Sequence, residues 1–246
     1  PWMGVSDVCG VSCCTMAAFS ALKCLGIGPG DEVITTVHTA IATAESISLT
    51  EARVVFCDLA PGYFFLDPAE VERKVTKRTK AIVPVHLYGQ PADIDAIMRT
   101  ARKHNLAVIE DCAQAQGSRY RDRMVGTIGD AAVFSFFPSK NLGGFGDGGA
   151  VTAADAKVMK KIRMFSNHGR TDKYFHEFEG INSRLDAIQA AMLRVILPLV
   201  DEWNGKRRAT AKWYDEGLSG IEQVTCPNVL PDTTPTYHVY VILVPD

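Results

Sequence analysis

The chain has 246 residues, of which 47% are hydrophobic and 22% are charged, which is enough apolar material for one large buried core. Its 26 basic and 28 acidic residues leave a formal net charge of −2, so we expect neither nucleic acid nor anionic membranes among its partners. No run approaches the roughly 18 apolar residues of a membrane-spanning helix, and the N-terminus lacks the basic-then-apolar order of a signal peptide. These features predict a soluble, cytoplasmic protein.

The seven cysteines indicate neither a disulfide framework nor a zinc site. Their number is odd and only Cys13 and Cys14 are close in sequence, whereas zinc knuckles need paired C-x-x-C motifs. Cys112 follows a predicted strand and is either a packing residue or a reactive thiol. Because no nearby residue has the pattern of a catalytic base for it, the sequence favours packing, and we expect no metal site.

Up to about residue 152, amphipathic helical stretches alternate with short β-branched runs. This pattern is typical of a mostly parallel sheet flanked by helices and predicts the α/β class. The predicted strands are residues 32–37, 53–58, 80–85, 107–110, 131–136 and 150–152. The predicted helices between them are residues 15–25, 40–50, 68–75 and 93–104.

After residue 153 the pattern changes to helices at residues 154–165, 185–195 and 199–217, followed by a predicted strand at 237–244. We therefore predict a large domain over residues 1–195, followed over residues 196–246 by a connecting helix and the start of a small C-terminal domain. A single strand after a long connecting helix is half of a subdomain. It indicates that the chain is a fragment or is completed by another chain.

Three predicted strands are followed by a residue capable of chemistry, namely His38, Asp111 and Lys140. Open α/β sheets bind their ligands in the crevice outside the carboxyl ends of the strands. We therefore expect these three side chains to converge at one edge of the sheet.

Lys140 follows a predicted strand closely, in the sequence SFFPSK, and precedes a glycine-rich run at residues 143–149. A lysine that forms a Schiff base needs a pKa lowered by burial or by nearby positive charge. The alternative is a solvated loop lysine. The glycine run has neither the spacing of a P-loop nor the position of a dinucleotide fingerprint, so alone it indicates only a tight turn.

Asp111 lies at the end of the apolar strand in VIEDCAQ. A pyridine ring that acts as an electron sink needs a protonated nitrogen, which a buried carboxylate can keep protonated. The alternatives for Asp111 are a helix N-cap and a metal ligand. The turn at residues 12–15 offers backbone N–H groups and a hydroxyl to a phosphate, or is simply a helix cap. Together with Lys140, these features predict partners for the ring, the phosphate and the aldehyde of pyridoxal 5′-phosphate.

Five segments carry a more specific resemblance: residues 28–35 (GPGDEVIT), 84–90 (PVHLYGQ), 110–114 (EDCAQ), 135–140 (SFFPSK) and 182–185 (NSRL). Their order resembles that of the DegT/DnrJ/EryC1/StrS family of sugar aminotransferases. The resemblance implies the fold type I architecture of pyridoxal-phosphate-dependent transferases (aspartate-aminotransferase-like) and a homodimer with shared active sites. It also implies transfer of an amino group from an amino acid, usually glutamate, to a nucleotide-linked keto-sugar. Compared with the family, the chain lacks the N-terminal helical segment and most of the small C-terminal domain.

The same resemblance implies roles for the residues around the cofactor ring. Lys140 would form the Schiff base and then transfer protons between the amino donor and the cofactor. Asp111 would pair with the pyridinium nitrogen, and Gln114 would lie near the ring and its phenolate oxygen.

Further matched residues are implied to bind the cofactor phosphate. Ser135 and the turn formed by Cys14 and Thr15 would bind it within one subunit, and Asn182 would reach it from the partner subunit. His86, Tyr88 and His168 are candidate sugar contacts by position or, equally, structural hydrogen-bonding groups. Arg184 is a candidate for the donor carboxylate, for the nucleotide phosphates or for an acidic residue at the interface.

The chain departs from the family pattern at two positions. Cys14 stands where the family usually has glycine, and a side chain there is unfavourable if the backbone has a positive φ. Ala40 stands where an aromatic residue is expected to stack on the ring. Because residues two apart share a face of a strand, we hypothesise that His38 supplies the stacking plane; the alternative is a polar residue at the strand end.

Two other functions compete with transamination. A sugar dehydratase of the same fold replaces the Schiff-base lysine with histidine, so Lys140 favours transamination. A non-catalytic regulatory homologue is the other alternative, and the changes at Cys14 and Ala40 agree with it. Binding of pyridoxal 5′-phosphate through Lys140 would separate an enzyme from a regulator without the cofactor.

Overall fold

The computed structural model describes residues 2–245, and over this range strands and helices alternate. The strands are β1 (Cys9–Val11), β2 (Glu32–Thr36), β3 (Arg53–Cys57), β4 (Thr79–Val83), β5 (Ala107–Asp111), β6 (Arg119–Tyr120), β7 (Arg123–Met124), β8 (Ala131–Ser135), β9 (Gly149–Ala153) and β10 (Thr233–Thr234). The helices are α1 (Cys14–Cys24), α2 (Ile41–Ser48), α3 (Pro68–Lys74), α4 (Ile94–His104), α5 (Ala156–Phe165), α6 (Ala187–Ile196) and α7 (Val200–Leu218). Short 3-10 helices cover Leu87–Gly89 and Leu197–Leu199.

Seven strands form one sheet in the order β1-β9-β8-β5-β4-β2-β3. The neighbouring strands from β8 through β5, β4 and β2 to β3 pair in parallel, whereas β9 pairs antiparallel with both β8 and β1. A smaller antiparallel sheet has the order β10-β6-β7. The mostly parallel α/β architecture predicted from the sequence is therefore confirmed.

The sheet is buried on both faces because its central strands carry apolar side chains at successive positions. Within β5, Val108 packs into one apolar cluster and Ile109 into the other. The cluster of Ile109 includes residues of α1 and α5, and the cluster of Val108 includes residues of α3 and α4. Successive side chains of a strand point to opposite faces, so a continuous apolar run is what a doubly covered sheet requires. Full burial of each such side chain contributes about 1.5–3 kcal/mol.

The predicted strand at residues 237–244 is wrong. In this segment Tyr237 has a φ of +44°, and only Leu243 forms an isolated bridge, with Thr225. The backbone N–H of His238 instead donates to the carbonyl oxygen of Tyr88 at 2.9 Å. A run of apolar and β-branched residues was therefore not sufficient, because a strand also needs a paired neighbour along its length.

The remaining elements lie close to their predicted positions, with ends that differ by a few residues. The short strand β1, the hairpin of β6 and β7, and the two-residue strand β10 were not predicted, since elements this short carry little periodicity. No helix within residues 2–245 combines the length and the hydrophobicity that crossing a bilayer requires.

Candidate active site

A cavity of about 260 Å³ opens at the carboxyl ends of β5 and β8, beside the N-terminal ends of α1 and α2. It is lined by Cys13, Cys14, Thr15, Ala18, Ala40, Ala42, Thr43, Asp111, Ala113, Ser135, Phe137, Lys140, Asp147 and Gly148. The sheet edge is the one at which an open α/β fold places its ligands. Asp111 and Lys140, two of the three residues expected to converge, share this cavity.

Lys140 lies in the turn that follows β8. Its backbone N–H donates to the carbonyl oxygen of Phe137 at 2.9 Å, which closes the turn. The turn is so tight that a Cβ atom on Gly143 would lie 2.4 Å from the carbonyl oxygen of Pro138. Burial lowers the pKa of the Lys140 amine, while the negative charge of Asp111 acts in the opposite direction. The amine is therefore a free base more often than that of an exposed lysine.

Asp111 is the last residue of β5 and is only 7% exposed. Its Oδ1 accepts the backbone N–H of Ala113 at 3.0 Å, and its Oδ2 accepts the hydroxyl of Thr43 at 2.9 Å. A carboxylate offers about four acceptor sites, so two neutral donors leave part of that capacity for a ligand. Thr43 could not be identified from the sequence, because only the fold brings the first turn of α2 against the end of β5.

The N-terminus of α1 forms another wall of the cavity. Its N-cap residue Cys13 has an extended backbone and makes no capping hydrogen bond through its side chain, whereas α3, α4 and α5 are each capped by an aspartate. The first N–H groups of a helix have no partner within the helix and can bind an anion. This end of α1 therefore offers anion-binding donors next to Thr15 and Ser135.

The backbone of β9 lies directly against this helix end. A Cβ atom on Gly149 would lie 2.6 Å from the carbonyl carbon of Cys13 and 2.7 Å from the nitrogen of Cys14. Cys14 itself is not among the residues with positive φ, so its side chain causes none of the backbone strain considered from the sequence. Burial, aided by the charge of Asp111, raises the pKa of the Cys14 thiol well above its usual value, which keeps the thiol protonated.

His38, Gln114 and Tyr88 form a separate group at the same edge and do not line the cavity. The His38 ring stacks on Phe64 with centroids 5.9 Å apart, and its Nε2 lies 3.0 Å from the Tyr88 hydroxyl. The amide oxygen of Gln114 accepts the backbone N–H of Tyr88 at 2.7 Å. This bond helps to hold Tyr88 at a φ of +59°, an unfavourable conformation for an aromatic residue.

His86 lies beneath the edge, in a fully buried network with Glu110. Its Nδ1 accepts the backbone N–H of Ala92 at 2.9 Å, so Nε2 carries the proton that is donated to Glu110 at 3.1 Å. Burial would raise the pKa of Glu110, but the hydrogen bond from His86 and the backbone donors around residues 126–129 outweigh it and lower that pKa. Both ring nitrogens of His86 are thus occupied, and we assign His86 to this structural network rather than to substrate contact.

Cys112 completes a buried group of potential metal ligands with His86 and Glu110, whose ligating atoms lie within 4.8 Å of one another. Both Glu110 oxygens already accept backbone N–H groups, from Gly126 at 2.9 Å and from Ile128 at 2.7 Å. Burial raises the pKa of the Cys112 thiol well above its usual value. Hydrogen bonds therefore occupy the ligating atoms of His86 and Glu110, and the Cys112 thiol stays protonated.

His168, Asn182 and Arg184 lie away from the residues that line the cavity. All three side chains are exposed, and Asn182 forms an isolated bridge with Asn167. Arg184 donates to the side-chain oxygen of Asn167 at 3.2 Å. The fold of this chain therefore groups these residues with one another rather than with Lys140.

The cavity combines an amine of lowered pKa, a buried carboxylate with free acceptor capacity and an uncapped helix N-terminus. Amines of this kind react with carbonyl compounds, and the carboxylate can pair with a positively charged ring. The helix end can hold an anionic group. The arrangement can therefore bind one molecule that carries all three functions.

Known proteins that are similar to this chain include aminotransferases. A family profile described as the DegT/DnrJ/EryC1/StrS aminotransferase family matches residues 1–246. A dTDP-3-amino-3,4,6-trideoxy-alpha-D-glucose transaminase of Streptomyces venezuelae is 49% identical over 90% of this chain and 59% of its own length.

Two solved structures resemble the fold over almost the whole chain. DesV of S. venezuelae, in complex with a ketimine intermediate, has a TM-score of 0.97 and 46% identity over 99% of this chain and 66% of that chain. NtdA of Bacillus subtilis, with bound cofactor PMP, has a TM-score of 0.90 and 31% identity over 97% of this chain and 55% of that chain. The chain thus spans between 55% and 66% of the length of these relatives. The profile match and the identities show that this chain belongs to the DegT/DnrJ/EryC1/StrS aminotransferase family.

Proposed function

We propose that the protein is an aminotransferase that uses pyridoxal 5′-phosphate to move an amino group from an amino acid, in the first place glutamate, to a nucleotide-linked keto-sugar. The observation that carries the proposal is the shared cavity of Lys140 and Asp111 beside the uncapped N-terminus of α1. The name of the S. venezuelae relative, a dTDP-amino-sugar transaminase, supports the substrate class.

The donor set of the cavity fits this cofactor. The Lys140 amine matches an aldehyde, Asp111 matches a pyridinium nitrogen, and the helix end matches a phosphate. Gly149 allows β9 to approach the helix end where a Cβ atom would collide with the backbone of Cys13. The small side chain of Ala40 also lines the cavity.

In this proposal Lys140 has two tasks. Its amine would bind the cofactor covalently and, once released, would move a proton at Nζ between the carbon of the amino donor and the cofactor. When bound, pyridoxal 5′-phosphate supplies an electron sink for the bond that breaks at the donor carbon. Burial lowers the pKa of Lys140, which brings the amine closer to the range in which a general base works at neutral pH.

The other residues would bind and orient. Asp111 would hold the proton on the ring nitrogen, while Ser135 and the backbone of Cys14 and Thr15 would bind the phosphate. Gln114 and His38 belong to the group beside the cavity that also contains Tyr88. We propose that both contact the ring of the cofactor. Tyr88, in the same group, is proposed as a sugar contact.

We further propose a homodimer, in which Asn182 of each subunit reaches the phosphate in the other subunit's site. Large apolar side chains are exposed around the cavity: Val37, Ile41, Phe137, Phe145 and Ile188. An exposed apolar patch of this kind is typical of an interface. Dimerisation would also bring His168 and Arg184 within range of a second subunit's substrate, where Arg184 could hold the donor carboxylate.

Absorbance of the purified protein tests the cofactor assignment. With pyridoxal 5′-phosphate we expect a visible band in the wild-type protein that survives gel filtration and is lost in Lys140→Ala. Lys103→Ala is a control, because Lys103 is an exposed lysine that forms an ion pair with Glu72. The cofactor assignment is wrong if the wild-type protein retains no band.

Release of 2-oxoglutarate tests the reaction. Glutamate should give one turnover without acceptor, and a panel of keto-sugar nucleotides should then restore continuous release. A dehydratase would instead consume a sugar nucleotide without releasing 2-oxoglutarate. A regulatory homologue would show no turnover with any member of the panel.

A further inference from the structure

Thr43 connects the first turn of α2 to the carboxylate that faces the cavity. It is 3% exposed, and its hydroxyl donates to Asp111 Oδ2 at 2.9 Å. The same hydroxyl lies 3.1 Å from that of Thr39, four residues earlier in the chain. The three oxygens therefore form a chain of hydrogen bonds that ends on Asp111.

The chemistry of the groups fixes the direction of this chain. An ionised carboxylate only accepts hydrogen bonds, and a hydroxyl has a single hydrogen to donate. Because Thr43 uses its hydrogen on Asp111, the bond between the two hydroxyls must be donated by Thr39. Each donation polarises the next group, so the two hydroxyls act together on the carboxylate.

The two oxygens of Asp111 have different donors. Oδ1 accepts from the backbone N–H of Ala113 and Oδ2 accepts from Thr43. A carboxylate held at both ends cannot turn about its terminal bond without losing a hydrogen bond. Its remaining acceptor sites therefore keep a fixed direction.

We propose that Thr43 is a positioning residue, which together with Thr39 fixes the Asp111 carboxylate in the orientation that receives a protonated ring nitrogen. This inference rests on the proposed function, since it assumes that the ring is that of pyridoxal 5′-phosphate. Thr43 also lines the cavity, but in this proposal its hydroxyl acts through Asp111. It should therefore affect how tightly and in which protonation state the cofactor is held.

The test compares Thr43→Val with Thr43→Ser in protein loaded with pyridoxal 5′-phosphate. Valine keeps the shape and removes the donor, whereas serine keeps the donor. We expect Thr43→Val to weaken cofactor binding about tenfold, the order expected for losing a hydrogen bond to a charged group. We also expect it to shift the pH midpoint of the visible band by at least about half a pH unit. Thr43→Ser should stay close to the wild type in both measurements.

Thr50→Val is the matched control. Thr50 is fully buried just beyond the same helix, and its hydroxyl donates to the carbonyl oxygen of Ile47 at 2.7 Å. This variant removes a buried hydroxyl without touching Asp111, so its absorbance midpoint should equal that of the wild type. Thr39→Val should give a shift in the same direction as Thr43→Val but smaller, about two- to threefold in affinity.

The proposal is overturned if Thr43→Val keeps both the affinity and the pH midpoint of the wild type, or if Thr43→Ser is as impaired as Thr43→Val. If Thr43→Val does not fold, Thr39→Val and Thr43→Ser decide, and an unchanged midpoint in Thr39→Val then overturns it. A wild-type protein that binds no pyridoxal 5′-phosphate would instead overturn the proposed function itself.

Discussion

Glu110 and Asp111 are adjacent carboxylates on one strand. Both are buried, but they differ in how many hydrogen bonds they accept. Glu110 accepts three backbone N–H groups, from Gly126, Ile128 and Gly129, and a fourth hydrogen bond from His86. Among residues 2–245, Asp111 accepts hydrogen bonds from two donors only, and it faces the cavity. Because successive side chains of a strand point to opposite faces, one strand end supplies both a structural anchor and a reactive group. Free acceptor capacity, and not burial, separates the two.

Asp111→Asn gives the largest expected difference between the two carboxylates. Asparagine keeps the size of the side chain but cannot keep a ring nitrogen protonated, so we expect transamination to fall on the order of 100-fold or more. The free energy of unfolding of the protein without cofactor should change by less than about 1 kcal/mol. Steady-state kinetics measures the loss of transamination, and chemical denaturation measures the free energy of unfolding. If Asp111→Asn lowered the free energy of unfolding as strongly as it lowers activity, the two carboxylates would not differ in role.

Glu110→Gln should give the reverse result. The amide NH₂ would face backbone donors that now meet a carboxylate, so we expect a loss of about 3 kcal/mol in the free energy of unfolding. For a chain of this length that corresponds to a fall in Tm of roughly 6–12 °C. Calorimetry measures the shift. The visible band of the bound cofactor should keep its position in this variant, because Glu110 does not line the cavity.

Low pH should weaken the hydrogen-bond network of Glu110 and His86. Burial opposes the ionised form of Glu110, but His86 and the backbone donors lower its pKa below the usual value. A lowered pKa in the folded state contributes stability that is complete above the unfolded pKa of about 4.3 and is lost as the pH falls towards the folded value. The free energy of unfolding of the wild type should therefore fall more steeply below about pH 5 than that of Glu110→Gln. Parallel curves for the two proteins would contradict this assignment.

Gly149→Ala should have the smallest effect of the four. The new Cβ atom would press on the backbone of Cys13 and Cys14, which costs about 1–3 kcal/mol in overpacking. The helix end would move away from β9, so phosphate-dependent binding of the cofactor should weaken as well. Gly217→Ala is a control, since nothing lies within 4 Å of the position of its Cβ. Titration with pyridoxal 5′-phosphate compares the two.

The sequence predicted those parts of the molecule that depend on local pattern. Apolar runs such as the one before Asp111 predicted the central strands, because a strand buried on both faces must be apolar throughout. The positions of Asp111 and Lys140 followed from the rule that strand ends meet at one edge. Thr43 could not be found in this way, since its contact with Asp111 joins residues 68 positions apart.

Two further differences between the sequence predictions and the structure also have specific causes. His86 was a candidate substrate contact because it follows a strand, and only the structure shows both of its nitrogens engaged by Ala92 and Glu110. The segment after Tyr237 has the apolar, β-branched composition of a strand, but its first backbone groups are bound by Tyr88 and by the side chain of Arg207. Hydrogen bonds over such sequence distances leave no periodic trace.

The bond between Tyr88 and His238 also sets an order of events during synthesis. Chains fold from the N-terminus as they leave the ribosome, so the parallel strands can pair while residue 238 is still being added. Until then the carbonyl oxygens of Tyr88 and Gly89 lack the N–H groups of His238 and Thr236 that they later accept. The left-handed turn at Tyr88 is therefore completed by residues that are translated well after β9, the last strand of the large sheet along the chain. A nascent protein could therefore pair the strands of its large sheet before it completes the turn that holds Tyr88 beside His38.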